Sequence, residues 1–116
     1  EGGFVQGAGW LTVEEVNWKS NGELTTHSPS TYKIPAVYDM PEKFNVEIYK
    51  YGKNKENVVN KSKTTGEPPL MNAMSVFFAI KDAISSIKNY STTPKLDAPA
   101  TPEKILISIN QLKKNN

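Results

Sequence analysis

The chain has 116 residues, 37% of them hydrophobic and 22% charged, with 14 Lys and Arg against 12 Asp and Glu for a formal net charge of +2. That length suits one small domain with a single core, and so small and dispersed a positive charge argues against a nucleic-acid partner. Without cysteine, the chain alone builds no disulfide, thiolate metal site, iron–sulfur cluster or cysteine nucleophile, and no apolar run reaches the roughly 18 residues of a membrane span.

Residues 4–18 carry Phe4, Val5, Ala8, Trp10, Leu11, Val13, Val16 and Trp18 around most sides of a helix, which predicts a buried helix. Trp10 and Trp18 read as core. Gly7 and Gly9 weaken the helix locally and predict close packing against its backbone. The run Gly2-Gly3-Phe4-Val5-Gln6-Gly7-Ala8-Gly9 matches neither dinucleotide nor P-loop patterns. Glu14 and Glu15 read as solvated. Ser20-Asn21-Gly22 marks a stop. The chain opens without Met and with its apolar pattern already running, which reads as a piece of a longer protein; no secretory signal is present in it.

Residues 23–37 read as extended, with Pro29 and Pro35 demoting any strand to an edge. His27, the one histidine, sits in this polar stretch without a second ligand nearby and reads as a solvated loop residue rather than a metal ligand. Residues 44–51 alternate Phe44, Val46 and Ile48 with Asn45, Glu47 and Tyr49, the period of a strand. Gly52 to Glu56 is a turn, and Asn57 to Lys61 is expected to return as a short partner strand. Asn60-Lys61-Ser62 and Asn89-Tyr90-Ser91 fit the glycosylation acceptor pattern and read as chance matches in an asparagine-rich chain.

Residues 68–88 are predicted to form the longest helix, with Leu70, Ala73, Phe77, Ile80, Ile84 and Ile87 on one face and proline in its first turn. Pro94 and Pro99 mark a loop. Thr101-Pro102-Glu103 is a helix start, with a threonine cap and proline at the first position. Ile105, Leu106, Ile109 and Leu112 supply that helix's apolar face, and Lys113 to Asn116 are expected to fray. The expected class is α+β: a small antiparallel sheet with two or three packed helices, part of a larger domain spanning residues 1–116 and beyond.

The chemistry turns on Lys63-Thr64-Thr65-Gly66-Glu67-Pro68-Pro69-Leu70. It places one carboxylate between a glycine and two prolines at the mouth of the long helix. Glu67 has two readings. One is a helix cap, stabilised by the macrodipole by about 0.3–1 kcal/mol. The other is a general base: Pro69 has no amide hydrogen to offer a capping side chain, which leaves the carboxylate free to face a ligand.

Several stretches together resemble the C-terminal part of the molybdenum hydroxylases, the xanthine dehydrogenase and aldehyde oxidase family. Residues 1–10 (EGGFVQGAGW) look like its glycine-rich helix. Pro29-Ser30-Thr31-Tyr32-Lys33-Ile34-Pro35-Ala36 is similar to its GPxTYKIP segment, with Ser28 where glycine is usual. Ser62 to Leu70 resembles its SKxxGEPPL signature and runs on into a family-like Ser75 to Ile84. Leu96-Asp97-Ala98-Pro99-Ala100-Thr101-Pro102-Glu103 looks like its LDxPATPE segment. The blocks occur in order and cover nearly the whole chain.

The resemblance implies a portion of a molybdopterin-binding domain. In the family, the glutamate matching Glu67 takes the proton from the molybdenum-bound hydroxyl, and the glycine matching Gly66 lies against the molybdenum centre. No residue of this chain is implied as a direct metal ligand. Substrates are purines or aldehydes, and electrons leave through 2Fe-2S clusters and FAD to NAD+ or oxygen. The intact Gly66-Glu67-Pro68-Pro69 resembles xanthine dehydrogenases and some invertebrate aldehyde oxidases, while Asp39-Met40-Pro41 leans toward aldehyde oxidases. The remainder of the enzyme upstream is implied as partner, within a homodimer in the cytoplasm or in peroxisomes, with neither membrane nor nucleic acid. The chain alone is expected to be inactive. The rival reading is a stand-alone structural or binding domain derived from such an enzyme, with Glu67 a relic cap.

Overall fold

The computed structural model describes residues 1–114. Its axis is a long helix, α2 (Glu67–Ser86), flanked by α1 (Gly2–Thr12) and α3 (Pro102–Lys114). Helix α1 runs beside the first half of α2 in the same direction. A Cβ added at Gly3 would stand 2.9 Å from Pro69 Cβ, and one at Gly7 would stand 2.7 Å from Ala73 Cβ. Glycines four residues apart lie on one face, so α1 presents a nearly bare backbone strip to α2. The buried residues of α1 are accordingly glycines rather than its large side chains: Gly7 against α2, and Gly9 against Glu14 and Pro35.

Helix α1 ends at Thr12, six residues before the apolar pattern does. The amides of Val13 and Glu14 both donate to Gly9 O at 3.0 Å, which closes the last turn and swings Glu14 inward. Trp10 and Trp18, expected in the core, are 47% and 62% exposed. The pattern misleads because apolar residues cover several sides of the segment while the closest approach to α2 is made by the glycine strip. Beyond α1, Trp18 and Leu24 form an antiparallel bridge. Lys19 N donates to Glu23 O at 2.8 Å around the Ser20-Asn21-Gly22 turn, where Gly22 takes a positive φ of 85°.

The central core lies at the other end of α2. Ile84 packs with Leu96, Ala100 and Leu112, and Phe77, Ile80, Ile105 and Ile109 close around them. Thr101 Oγ1 accepts from Lys104 N at 3.4 Å, the cap that the sequence predicts. The inward face of α3 includes Ser108, which is buried with no hydrogen-bond partner for its hydroxyl among the described residues. Leu106, expected on that face, is 58% exposed. Lys113 and Lys114 are helical, and Asn115 and Asn116 of the expected frayed end lie outside the described residues.

Residues 44–51, the clearest strand pattern in the sequence, form no strand pairing among the described residues. Ile48 is 90% exposed. The expected return strand at 57–61 is instead a short 3₁₀ turn over Val59–Lys61, with Asn60 and Lys61 at φ of 51° and 52°. Alternation reports a surface shaped to be half-buried; a ladder needs a partner with unpaired amides, and 57–61 turns away. The radius of gyration is 18.3 Å, against about 13 Å for a compact chain of this length. The accessible surface is 9390 Å², against about 6,300 Å² for a compact monomer. Much of that excess is carried by Ile34, Val37, Tyr38, Ile48, Tyr49, Tyr51 and Val59, each at least 65% exposed.

Candidate active site

The site is built from the turn that opens α2. Gly66 is the N-cap residue, at φ −87° and ψ −43°, and makes no side-chain cap. Glu67 is the first helical residue, with Pro68 and Pro69 behind it. The first four amides of a helix lack helical partners, and here two of those four positions are prolines without any amide hydrogen. Glu67 is exposed, and its side chain makes no cap hydrogen bond. The capping reading therefore reduces to proximity to the positive end of the helix dipole. Among the described residues no hydrogen bond or ion pair holds the Glu67 carboxylate.

Gly66 has no local reason to be glycine. Its φ is ordinary for any residue, and a Cβ placed on it would find no atom of the described residues beyond its chain neighbours within 4 Å. The turn is therefore open on the side of Gly66 and Glu67 and closed on the side of α1, where Gly3 meets Pro69.

Helix α1 is in turn held by the other two segments. In the Ser28 turn, Tyr32 N donates to Ser28 O at 2.8 Å, which carries the tyrosine back toward α1, where its hydroxyl donates to Glu14 Oε2. Glu14 is 8% exposed, so the solvated position expected for it is corrected: the early end of α1 turns it inward. The hydrogen bond to Glu14, reinforced by desolvation and by the carboxylate's charge, raises the Tyr32 hydroxyl above the usual tyrosine range. Pro35 packs against Gly9. From the fourth segment, Ala100 N donates to Leu11 O at 2.7 Å, just after the cis Ala98–Pro99 peptide. Three stretches far apart in sequence, α2, residues 28–35 and the Ala100 segment, thus converge on α1, which holds the turn carrying Glu67. Reading residues one at a time missed Glu14 and Pro35. The available signal was a tyrosine and a proline spaced three apart in a segment facing a glycine-rich helix.

The remaining candidates stay apart from this turn. His27 is exposed in a shallow depression with Leu24, Pro29, Tyr32 and Ile34. Among the described residues no three His, Cys, Asp or Glu side chains come close enough to share a metal ion. An apolar cavity of about 280 Å³ lies between α1, Pro35, Met40, Val76 and Ile105, but Glu67 does not line it. The described residues thus supply an exposed carboxylate at an open turn without walls for a substrate.

The match to known proteins has the same shape. Residues 1–41, α1 and the segment that folds back on it, match the molybdopterin cofactor-binding domain model. The chain is 48% identical over 110 residues to the xanthine dehydrogenase/oxidase of Rattus norvegicus, with 90% of this chain and 8% of that protein covered. It is 44% identical over 116 residues to the xanthine dehydrogenase of Oryza sativa subsp. japonica, covering 90% of this chain and 8% of that protein. It is 44% identical over 111 residues to that of Dictyostelium discoideum, covering 93% and 8%. The chain belongs to the molybdenum hydroxylase family. It spans about 8% of the length of the curated relatives it matches.

Proposed function

We propose that this chain is the part of a molybdenum-dependent oxidoreductase that brings a general base, Glu67, to the molybdopterin site, and that the intact enzyme hydroxylates a purine. The observation that carries the reading is the turn itself. An exposed carboxylate, unpartnered among the described residues, stands beside a glycine with open space over its Cα, and both are backed by a helix that other parts of the chain hold in place. A cofactor against Gly66 would account for a glycine that nothing within the chain requires, since a missing side chain permits close backbone approach.

Molybdopterin, when bound, supplies the oxygen transfer and the redox step. The chain's own task is narrower. The Glu67 carboxylate accepts a proton at one of its oxygens, the work of a positioned general base. Pro68 and Pro69 fix φ in the first turn and so limit the directions that carboxylate can take. Exclusion of water and recognition of the substrate fall to the rest of the intact chain. The chain alone is then inactive, because Glu67 faces solvent.

Purine rather than aldehyde is supported by the xanthine dehydrogenase name carried by the relatives described above. In the proposed intact enzyme, a cytoplasmic homodimer, iron–sulfur clusters and FAD outside this chain pass electrons to NAD+ or oxygen. The exposed apolar residues between Ile34 and Val59 pack against the upstream remainder. There residues 44–51 find a strand partner, giving the parent domain its α+β character.

The test is Glu67→Gln in the intact enzyme, an uncharged side chain of the same shape. Molybdenum content is expected near wild type and purine turnover reduced by roughly 10²–10⁴-fold. Near-normal turnover overturns the assignment. A higher kcat/KM for an aldehyde than for xanthine in the wild type overturns the substrate.

A further inference from the structure

Nothing within the described residues restrains the opening turn of α2 on the side of Gly66, where a Cβ would meet no atom. On the other side stands α1, and the closest approach there is at Gly7. A Cβ on Gly7 would lie 2.7 Å from Ala73 Cβ, 2.9 Å from Leu70 Cδ1 and 3.2 Å from Leu70 Cα. Two of those neighbours are not flexible side-chain ends. Ala73 is 0% exposed and has no rotamer to change, and Leu70 Cα is backbone. Gly3 differs, because it meets the Pro69 ring and has only the Gly66 carbonyl, at 3.7 Å, as a backbone neighbour.

We propose that Gly7 is a positioning residue for Glu67: its bare backbone, seated on Ala73 and Leu70, sets how close the first turn of α2 comes to α1 and thereby where the Glu67 carboxylate stands. The proposal rests on the reading of Glu67 as the base. Leu70 is one turn from Glu67, and the residues between them are two prolines with fixed φ. A displacement at Leu70 is therefore carried to Glu67 instead of being absorbed in the turn. Catalytic geometry is sensitive on this scale, since a misplacement of about 1 Å can cost about 10²-fold in rate.

The experiment exchanges the methyl group between the helices in the intact enzyme, comparing Gly7→Ala, Ala73→Gly and the double variant. Crystal structures read the Glu67 Cα position relative to α1, and kinetics read kcat and KM per molybdenum. Gly7→Ala is expected to move Glu67 away from α1 and lower kcat about tenfold, with KM and molybdenum content near wild type. Adding Ala73→Gly returns Glu67 and restores kcat to within about threefold. A purely structural role would lower molybdenum content or stability without this kcat-specific loss and rescue.

Gly7→Ala with wild-type kcat, or a loss that Ala73→Gly does not recover, overturns the proposal. If Gly7→Ala yields no loaded enzyme, the double variant decides: near wild-type kcat and Glu67 position support the proposal, and an inactive or displaced double overturns it. Failure of the underlying reading is seen separately, as wild-type turnover in Glu67→Gln, while the displacement and its reversal in the crystal structures still measure the positioning.

Discussion

At its C-terminal end α2 buries Ile84 among Leu96, Ala100 and Leu112, whereas at its N-terminal end Glu67 stands exposed on a turn backed by the glycines of α1. The first end follows ordinary core logic: large apolar side chains, a capped neighbouring helix and a contiguous cluster. The second inverts it. On the α1 side the contact is made by glycines, and among the described residues the Glu67 carboxylate has no partner. One helix thus joins a region organised for stability to one organised for position, and the two should fail differently when perturbed.

With the charge kept, the largest difference should come from shortening the carboxylate. Glu67→Asp keeps the charge but draws it back by one methylene, and turnover of the intact enzyme is expected to fall about 10–100-fold, with thermal stability within about 0.5 kcal/mol of wild type. Steady-state kinetics beside a melting curve check this, and equal losses in both would erase the contrast between the two ends. At the other end, Leu112→Ala should destabilise by about 2–5 kcal/mol while the enzyme that remains loaded keeps its kcat. Denaturant titration read against active-site content separates those outcomes.

A smaller effect is expected at the start of α3. Thr101→Ala removes the oxygen that accepts from Lys104 N and should cost about 0.5–2 kcal/mol, again without a change in kcat.

The smallest prediction sharpens the boundary between the regions, at the strap over α1. Hydrogen bonding to Glu14 raises the Tyr32 hydroxyl above the ordinary tyrosine value, so the fold binds that proton more tightly than the unfolded chain does. The stabilisation is fully present below the unfolded value and is lost as pH rises through the folded one. The intact enzyme should therefore lose stability above about pH 10, and Tyr32→Phe should show a flatter profile there, from a lower starting point. Inactivation rates across that alkaline range check it, and identical slopes would remove the strap from the account.

Much of the C-terminal end was legible in the sequence. The three-and-four spacing from Leu70 to Ile84 and the Thr101-Pro102 start are local signals, and the helices appear within one or two residues of where they predict. The N-terminal end was legible only in part. Gly7 and Gly9 announced a close approach but not to what, because the partners Ala73 and Pro35 are distant in the chain. The early end of α1 and the burial of Glu14 depend on Tyr32 and Pro35 folding back, which no periodicity carries. The alternation at 44–51 predicts a strand, and those residues form no pairing among the described residues. The reading of Glu67 as a base came from the resemblance of whole blocks, while local physics left cap and base both open.

The central claim, that Glu67 at the mouth of α2 is the base of the intact enzyme, is tested most directly by one rate. This is the single-turnover rate of enzyme reduction by a purine, per molybdenum, in wild type and Glu67→Gln. The account predicts a rate at least about 100-fold lower in the variant, with molybdenum content and purine binding preserved. A variant rate within about twofold of wild type would contradict it.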